Sequence, residues 1–205
     1  MGRGHRRDVR RRRGIVLASL AALLLAACGR GNASPELLID RLAAQRAAPL
    51  QPTSLDLAVG GAFNARQSAY ANNLSPSLAW ALTPGAQSYA VVIEDPDSRG
   101  GQPFVHWLIW NIPGDAVGLP EGVPQGGQTA RPAGAAQGMS DAHTLGYFGP
   151  HPPSGTGLHH YVIELFALDS RLDLGPGRPL ADLEKAMSGH VLAKGRLIAT
   201  ASAPT

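Results

Sequence analysis

His159-His-Tyr-Val-Ile-Glu-Leu-Phe-Ala-Leu168 runs for ten residues without a glycine or proline, and aromatic and branched side chains dominate it. Such residues fit the pleated, half-buried surface of a β-strand. Alternation along a strand places His159, Tyr161 and Ile163 on one face and His160, Val162 and Glu164 on the other. Tyr89-Ala-Val-Val-Ile-Glu94 and Phe104-Val-His-Trp-Leu-Ile-Trp-Asn111 read the same way, with Leu55–Val59 and Lys194–Thr200 as weaker strands. The domain carries one clear helical pattern: Leu180, Leu183, Ala186 and Met187, closed by Gly189. No long helices separate the strands, so parallel β-α-β units are not expected. A mostly β, mainly antiparallel fold with a short helix near the C-terminus follows. Residues 113–158 are rich in Gly and Pro and are expected to lack regular structure.

Outward from these strands, the chain divides by charge. The 205 residues hold 18 Lys and Arg against 15 Asp and Glu. Seven of the arginines (Arg3, Arg6, Arg7, Arg10, Arg11, Arg12, Arg13) and only Asp8 fall in residues 1–27. Residues 28–205 are left with 11 basic and 14 acidic groups, a net charge near −3. That body has no basic stripe, which argues against a nucleic-acid partner. After Arg13 comes an apolar run to Ala27, shorter than the roughly 20 residues of a membrane span and typical of an export signal. Leu25-Ala26-Ala27-Cys28 resembles the lipobox of bacterial lipoproteins, where cleavage precedes the Cys and acyl chains such as palmitate are attached to it. Cys28 is the only cysteine, so its lipidation would leave no thiol for a disulfide. Residues 28–54 read as a tether, with a short helix from Leu37, Leu38 and Leu42 to about Ala48. Residues 55–205 read as one domain, large enough for a single core.

Polar residues gather at the strand ends. Asp95-Pro96-Asp97 follows the first strand, His106 interrupts the second, and His159, His160 and Tyr161 open the third. Before the third lies Gly146-Tyr-Phe-Gly-Pro-His-Pro-Pro-Ser-Gly-Thr-Gly157, in which prolines stiffen the loop and glycines permit close approach of a ligand. Taken singly, Asp95-Pro96-Asp97 is an ordinary turn and His106 a satisfied core histidine. Trp80, Trp107 and Trp110 are expected in the core. His143 and His151 are expected to face solvent, and His190 to be a helix-end or packing residue.

In order and spacing, these motifs resemble the two signature regions of the phosphatidylethanolamine-binding protein family, with the bacterial Raf kinase inhibitor-like branch as the nearest pattern. Asn72-Asn-Leu-Ser-Pro-Ser-Leu-Ala-Trp80 and Gly189-His-Val-Leu-Ala-Lys194 are similar to that branch's early and late motifs. The resemblance implies two packed β-sheets with a small pocket for an anionic head group, such as phosphate or phosphorylethanolamine. By position it implies a pocket of Asp95, Asp97, Phe104, His106, Pro152, Pro153, His159 and Tyr161. The residue types suit this use: His106 and His159 can donate to an anion, and the Tyr161 hydroxyl adds a neutral donor.

Three positions depart from the pattern. Arg99 stands where animal members carry a pocket proline, Met139-Ser140-Asp141 replaces an Asn-Asp pair, and Ala199-Thr-Ala-Ser202 lacks a usual tyrosine. A hydrolase would need a nucleophile or a metal, yet no Gly-x-Ser-x-Gly and no His-Glu-x-x-His is present. No cofactor or metal is therefore expected. The expectation is a non-enzymatic, exported protein, anchored to the cell membrane or outer membrane through lipid on Cys28 and binding a small anionic or phosphorylated ligand. The alternatives are an inhibitor of a protease or other enzyme through protein–protein contact, and a metal-dependent or His/Asp hydrolase.

Overall fold

The computed structural model of the chain describes Met1, Gly2 and residues 36–205. The proposed export signal and Cys28 lie outside the described residues, apart from Met1 and Gly2. The three strong runs form the centre of a six-stranded sheet: β2 (Ser88–Asp95), β3 (Phe104–Pro113) and β7 (His159–Leu168). The remaining members are β5 (Gln128–Ala130), β6 (Ala133–Gln137) and β8 (Val191–Ala201), in the order β5-β6-β3-β2-β7-β8 with every pair antiparallel. β1 (Leu78–Ala79) and β4 (Gly118–Leu119) make a small second antiparallel sheet. The short helix α2 (Leu180–Met187) falls where the apolar spacing placed it.

Antiparallel sheets usually alternate apolar and polar positions because one face is wet. Here β2 is buried along its whole length, which explains its unbroken Tyr-Ala-Val-Val-Ile run. One face packs Tyr89, Val91 and Ile93 with Trp107, Tyr161, Ile163 and the small sheet's Leu78 and Leu119. The opposite face packs Val92, Leu108, Trp110, Val162 and Phe166 beneath Leu183 and Met187 of α2. The three tryptophans are core residues, as expected.

The structure differs from the sequence reading in three places. Leu55–Val59 forms only the isolated bridge Leu57–Phe63, while the other weak candidate becomes part of the 11-residue β8. Residues 113–158 contain β4, β5 and β6, whose alanines and glycines carry little strand signal. Residues 37–50 pack on the domain. Their helix, α1, spans only Leu38–Arg41, and Leu37, Leu38, Ile39 and Leu42 are buried against the α2 face of the sheet. Beyond α1, Gln45, Arg46 and Leu50 donate backbone N–H groups to Val191, Leu192 and Lys194, covering part of the β8 edge.

Candidate ligand-binding pocket

A β-bulge sets the pocket floor. β2 pairs Ile93 with Trp107 but Glu94 with Val105, so His106 is an extra residue on β3. Bulges of this kind re-aim a side chain. His106 turns toward Tyr161, whose ring meets it edge-on at 5.0 Å, and stacks on Phe148 at 5.6 Å. Its Nδ1 donates to the Phe148 carbonyl at 2.8 Å, leaving Nε2 without a partner among the described residues. Burial holds the His106 imidazole below its usual range, so the ring is neutral at pH 7.

The wall is the Gly146–Gly157 loop, fastened to residues 67–73. Gly149 N–H donates to Asn73 Oδ1 at 2.7 Å, and the Ser68 hydroxyl donates to the Pro150 carbonyl at 2.9 Å. The Tyr70 hydroxyl donates to the Pro152 carbonyl at 2.8 Å, and its ring stacks on His151 at 4.1 Å. The resulting cavity holds about 480 Å³, within the range of small-ligand sites.

Six of the eight expected residues line this cavity: Asp95, Phe104, His106, Pro152, Pro153 and His159. Asp97 does not line it. Its carboxylate is exposed and accepts from the backbone and ring of His160, a contact that holds it below the usual carboxylate range despite partial burial. Tyr161 sits behind His106 with its hydroxyl buried, and that burial pushes the phenol well above its usual range.

The geometry also redistributes roles between the histidines. His159 Nδ1 meets Asp95 Oδ2 at 2.7 Å, and Nε2 meets Thr156 Oγ1 at 2.9 Å. Thr156 Oγ1 also lies 2.7 Å from the Pro153 carbonyl, which places it between His159 and the loop. Asp95 Oδ1 accepts from Asp97 N–H at 2.8 Å. Both His159 nitrogens and both Asp95 oxygens are therefore occupied, and the pair stitches strand ends to loop. His106 Nε2 is left as a buried ring nitrogen with no partner among the described residues.

Nine lining residues were absent from the sequence-derived set, Arg99, Asp141, Phe148 and His151 among them. Phe148 and His151 stand inside the motif that carried the resemblance, so their positions were a usable signal. Arg99 is the one guanidinium on the rim, with no ion pair among the described residues. His151, expected in solvent, is exposed and also lines the cavity. Among the described residues no three His, Cys, Asp or Glu gather in a metal-binding arrangement.

A two-sheet antiparallel β-fold with this pocket at the strand ends defines the class, and the sequence comparison agrees. The phosphatidylethanolamine-binding protein family model matches residues 53–202, and the chain belongs to that family. A UPF0098 protein of Methanothermobacter thermautotrophicus is 45% identical over 139 residues, covering 67% of this chain and 89% of the relative. LppC of Mycobacterium tuberculosis, whose name calls it a lipoprotein, is 35% identical over 158 residues, 77% of this chain and 74% of LppC. The crystal structure of Escherichia coli YbcL, described as a member of the mammalian PEBP family, superposes with a TM-score of 0.69 at 26% identity. It covers 77% of this chain and all of YbcL.

Proposed function

We propose that this chain is an exported, lipid-anchored binding protein whose pocket takes a small anionic or phosphorylated group, such as a phospholipid head group. The observation that carries the reading is the buried His106. Its tautomer is fixed by the Phe148 carbonyl and its Nε2 is unspent in an otherwise largely apolar cavity. An incoming anion supplies the negative charge that an imidazolium needs, so binding and protonation of His106 are coupled. Arg99 on the rim adds a second, solvent-screened attraction. The family name and the lipoprotein relative support the ligand class and the anchor on Cys28. The site is read as non-enzymatic because the sequence carries neither Gly-x-Ser-x-Gly nor His-Glu-x-x-His.

Sulfate tests the coupling because its own charge is constant between pH 5 and 8. His106 is held low in the empty pocket and raised by the bound anion. Sulfate affinity should therefore increase as pH falls through that window, by up to about tenfold per unit, and level off once the empty pocket is also protonated. The His106 ring signals, followed by NMR, should move on saturation, and Arg99→Gln should weaken binding severalfold at low salt. Affinity independent of pH, with unmoved His106 signals, would overturn the assignment.

A further inference from the structure

Two acids with no part in the pocket lie on the opposite face of the sheet. Glu94 on β2 and Glu164 on β7 are 1% and 0% exposed, and both are covered by residues 37–50. Leu38 N–H donates to Glu94 Oε2 at 2.8 Å and Ile39 N–H to Glu164 Oε2 at 3.0 Å, so the pair accepts the first free N–H groups of α1. Glu164 Oε1 is buried with no hydrogen-bond partner among the described residues.

The covering segment precedes the family-matched region, which begins at residue 53. Four buried aliphatic side chains and the hydrogen bonds to β8 work against the entropy of ordering fourteen residues. We propose that residues 37–50 form a latch, closed on the sheet while Glu94 and Glu164 share a proton and released when both carboxylates are charged.

Burial and mutual proximity favour a neutral carboxyl at this pair. Desolvation raises both acids, and the Glu94 charge raises Glu164 further. The charges around the pair enter the balance. From the latch, Arg41 lowers Glu94, while Asp40 pairs with Arg196. From α2, Glu184 raises Glu94 and is itself paired with Arg41 at 3.1 Å. From β8, Arg196 lowers Glu164, and Lys194 donates to the Ile39 and Leu42 carbonyls at 2.5 and 2.6 Å.

The closed latch retains a proton that the open state gives up. Closure is therefore strongest at low pH, weakens as pH rises above the ordinary carboxylate range near 4.3, and stops weakening above the raised value. Resting on the reading that Cys28 is lipidated, release also changes reach. Eight residues from Cys28 to Glu36 span at most about 28 Å, whereas 25 residues to Thr53 span up to about 85 Å. The latch thus selects whether the domain is held against the lipid surface or allowed away from it.

Hydrogen exchange of the Leu38–Leu42 amides, measured on the full chain in detergent between pH 5 and 9 and corrected for intrinsic rates, tests the latch. Protection should fall with pH by up to about tenfold per unit over part of that range, while β3 amides stay unchanged and report the intact fold. In the Glu94→Gln/Glu164→Gln double variant, which has no carboxyl at the pair, protection should be flat. Each single variant should lose part of the slope and serves if the double variant does not fold. Wild-type protection constant across the range, or a pH dependence that survives both substitutions, would overturn the proposal. The reach is read separately, as fluorescence transfer from the domain to labelled phosphatidylethanolamine vesicles. A chain that fails to associate with vesicles refutes the anchor while leaving the exchange result to decide the latch.

Discussion

Gln137→Leu should cost about 3–6 kcal/mol of folding stability, a large share of the roughly 5–15 kcal/mol of an ordinary domain. Gln137 is fully buried on β6, and each of its amide atoms is engaged. Its Oε1 accepts from Trp107 Nε1 at 2.7 Å, and its Nε2 donates to the carbonyls of Pro124 and Gly126, both at 2.8 Å. Leucine would match the volume and strand three polar groups in a dry core. Each stranded group carries a desolvation penalty of about 1–3 kcal/mol. The amide also ties the 124–127 loop to the central strand, so the pocket side of the sheet loses its brace. Urea denaturation at pH 7 measures the loss directly. A change below about 1 kcal/mol would show that water replaces the amide, and that the loop is not braced this way.

Asp95→Ala and Asp97→Ala should separate sharply, although the two acids are two residues apart in one turn. Asp95 and His159 are an enclosed pair, with side chains 6% and 5% exposed. Removing the carboxylate leaves the His159 Nδ1 and the Asp97 N–H without acceptors. Loss of one partner from a buried pair costs about 3 kcal/mol or more. The Thr156–His159 strut would loosen with it, and ligand binding should fall at least tenfold. Asp97 and His160 are paired at a similar 2.7 Å but stand 42% and 52% exposed. Such a pair contributes about 0.5 kcal/mol, and its loss should leave the pocket intact. Thermal unfolding and calorimetry on both variants check this contrast. Equal effects would refute the division of labour.

Much of the fold was readable because it rests on local pattern. β2, β3 and β7 announce themselves through continuous aromatic and branched runs, and α2 through its Leu180–Met187 spacing. The approximate site was readable too, because the motifs that carry it sit at strand ends and keep family order. What stayed hidden depends on which distant groups meet. Nothing local to Asp95 or Asp97 tells which finds the buried histidine. The engagement of both His159 nitrogens required Thr156 to be in place. β5 and β6 are built from alanine, glycine and glutamine, so the Gln137 brace had no periodic signal. Residues 37–50 looked like a spacer because their anchors, Glu94 and Glu164, lie 56 and 125 residues from the amides they accept. Buried acids inside predicted strands were the available sign that something polar must cover them.

Calorimetric titration of phosphorylethanolamine and inorganic phosphate into the wild-type chain and the His106→Ala/His159→Ala double variant addresses the anion pocket most directly. The account predicts saturable binding at one site in the wild type and no measurable heat in the double variant, with β-sheet content retained by circular dichroism. Binding of equal affinity in both proteins would contradict it.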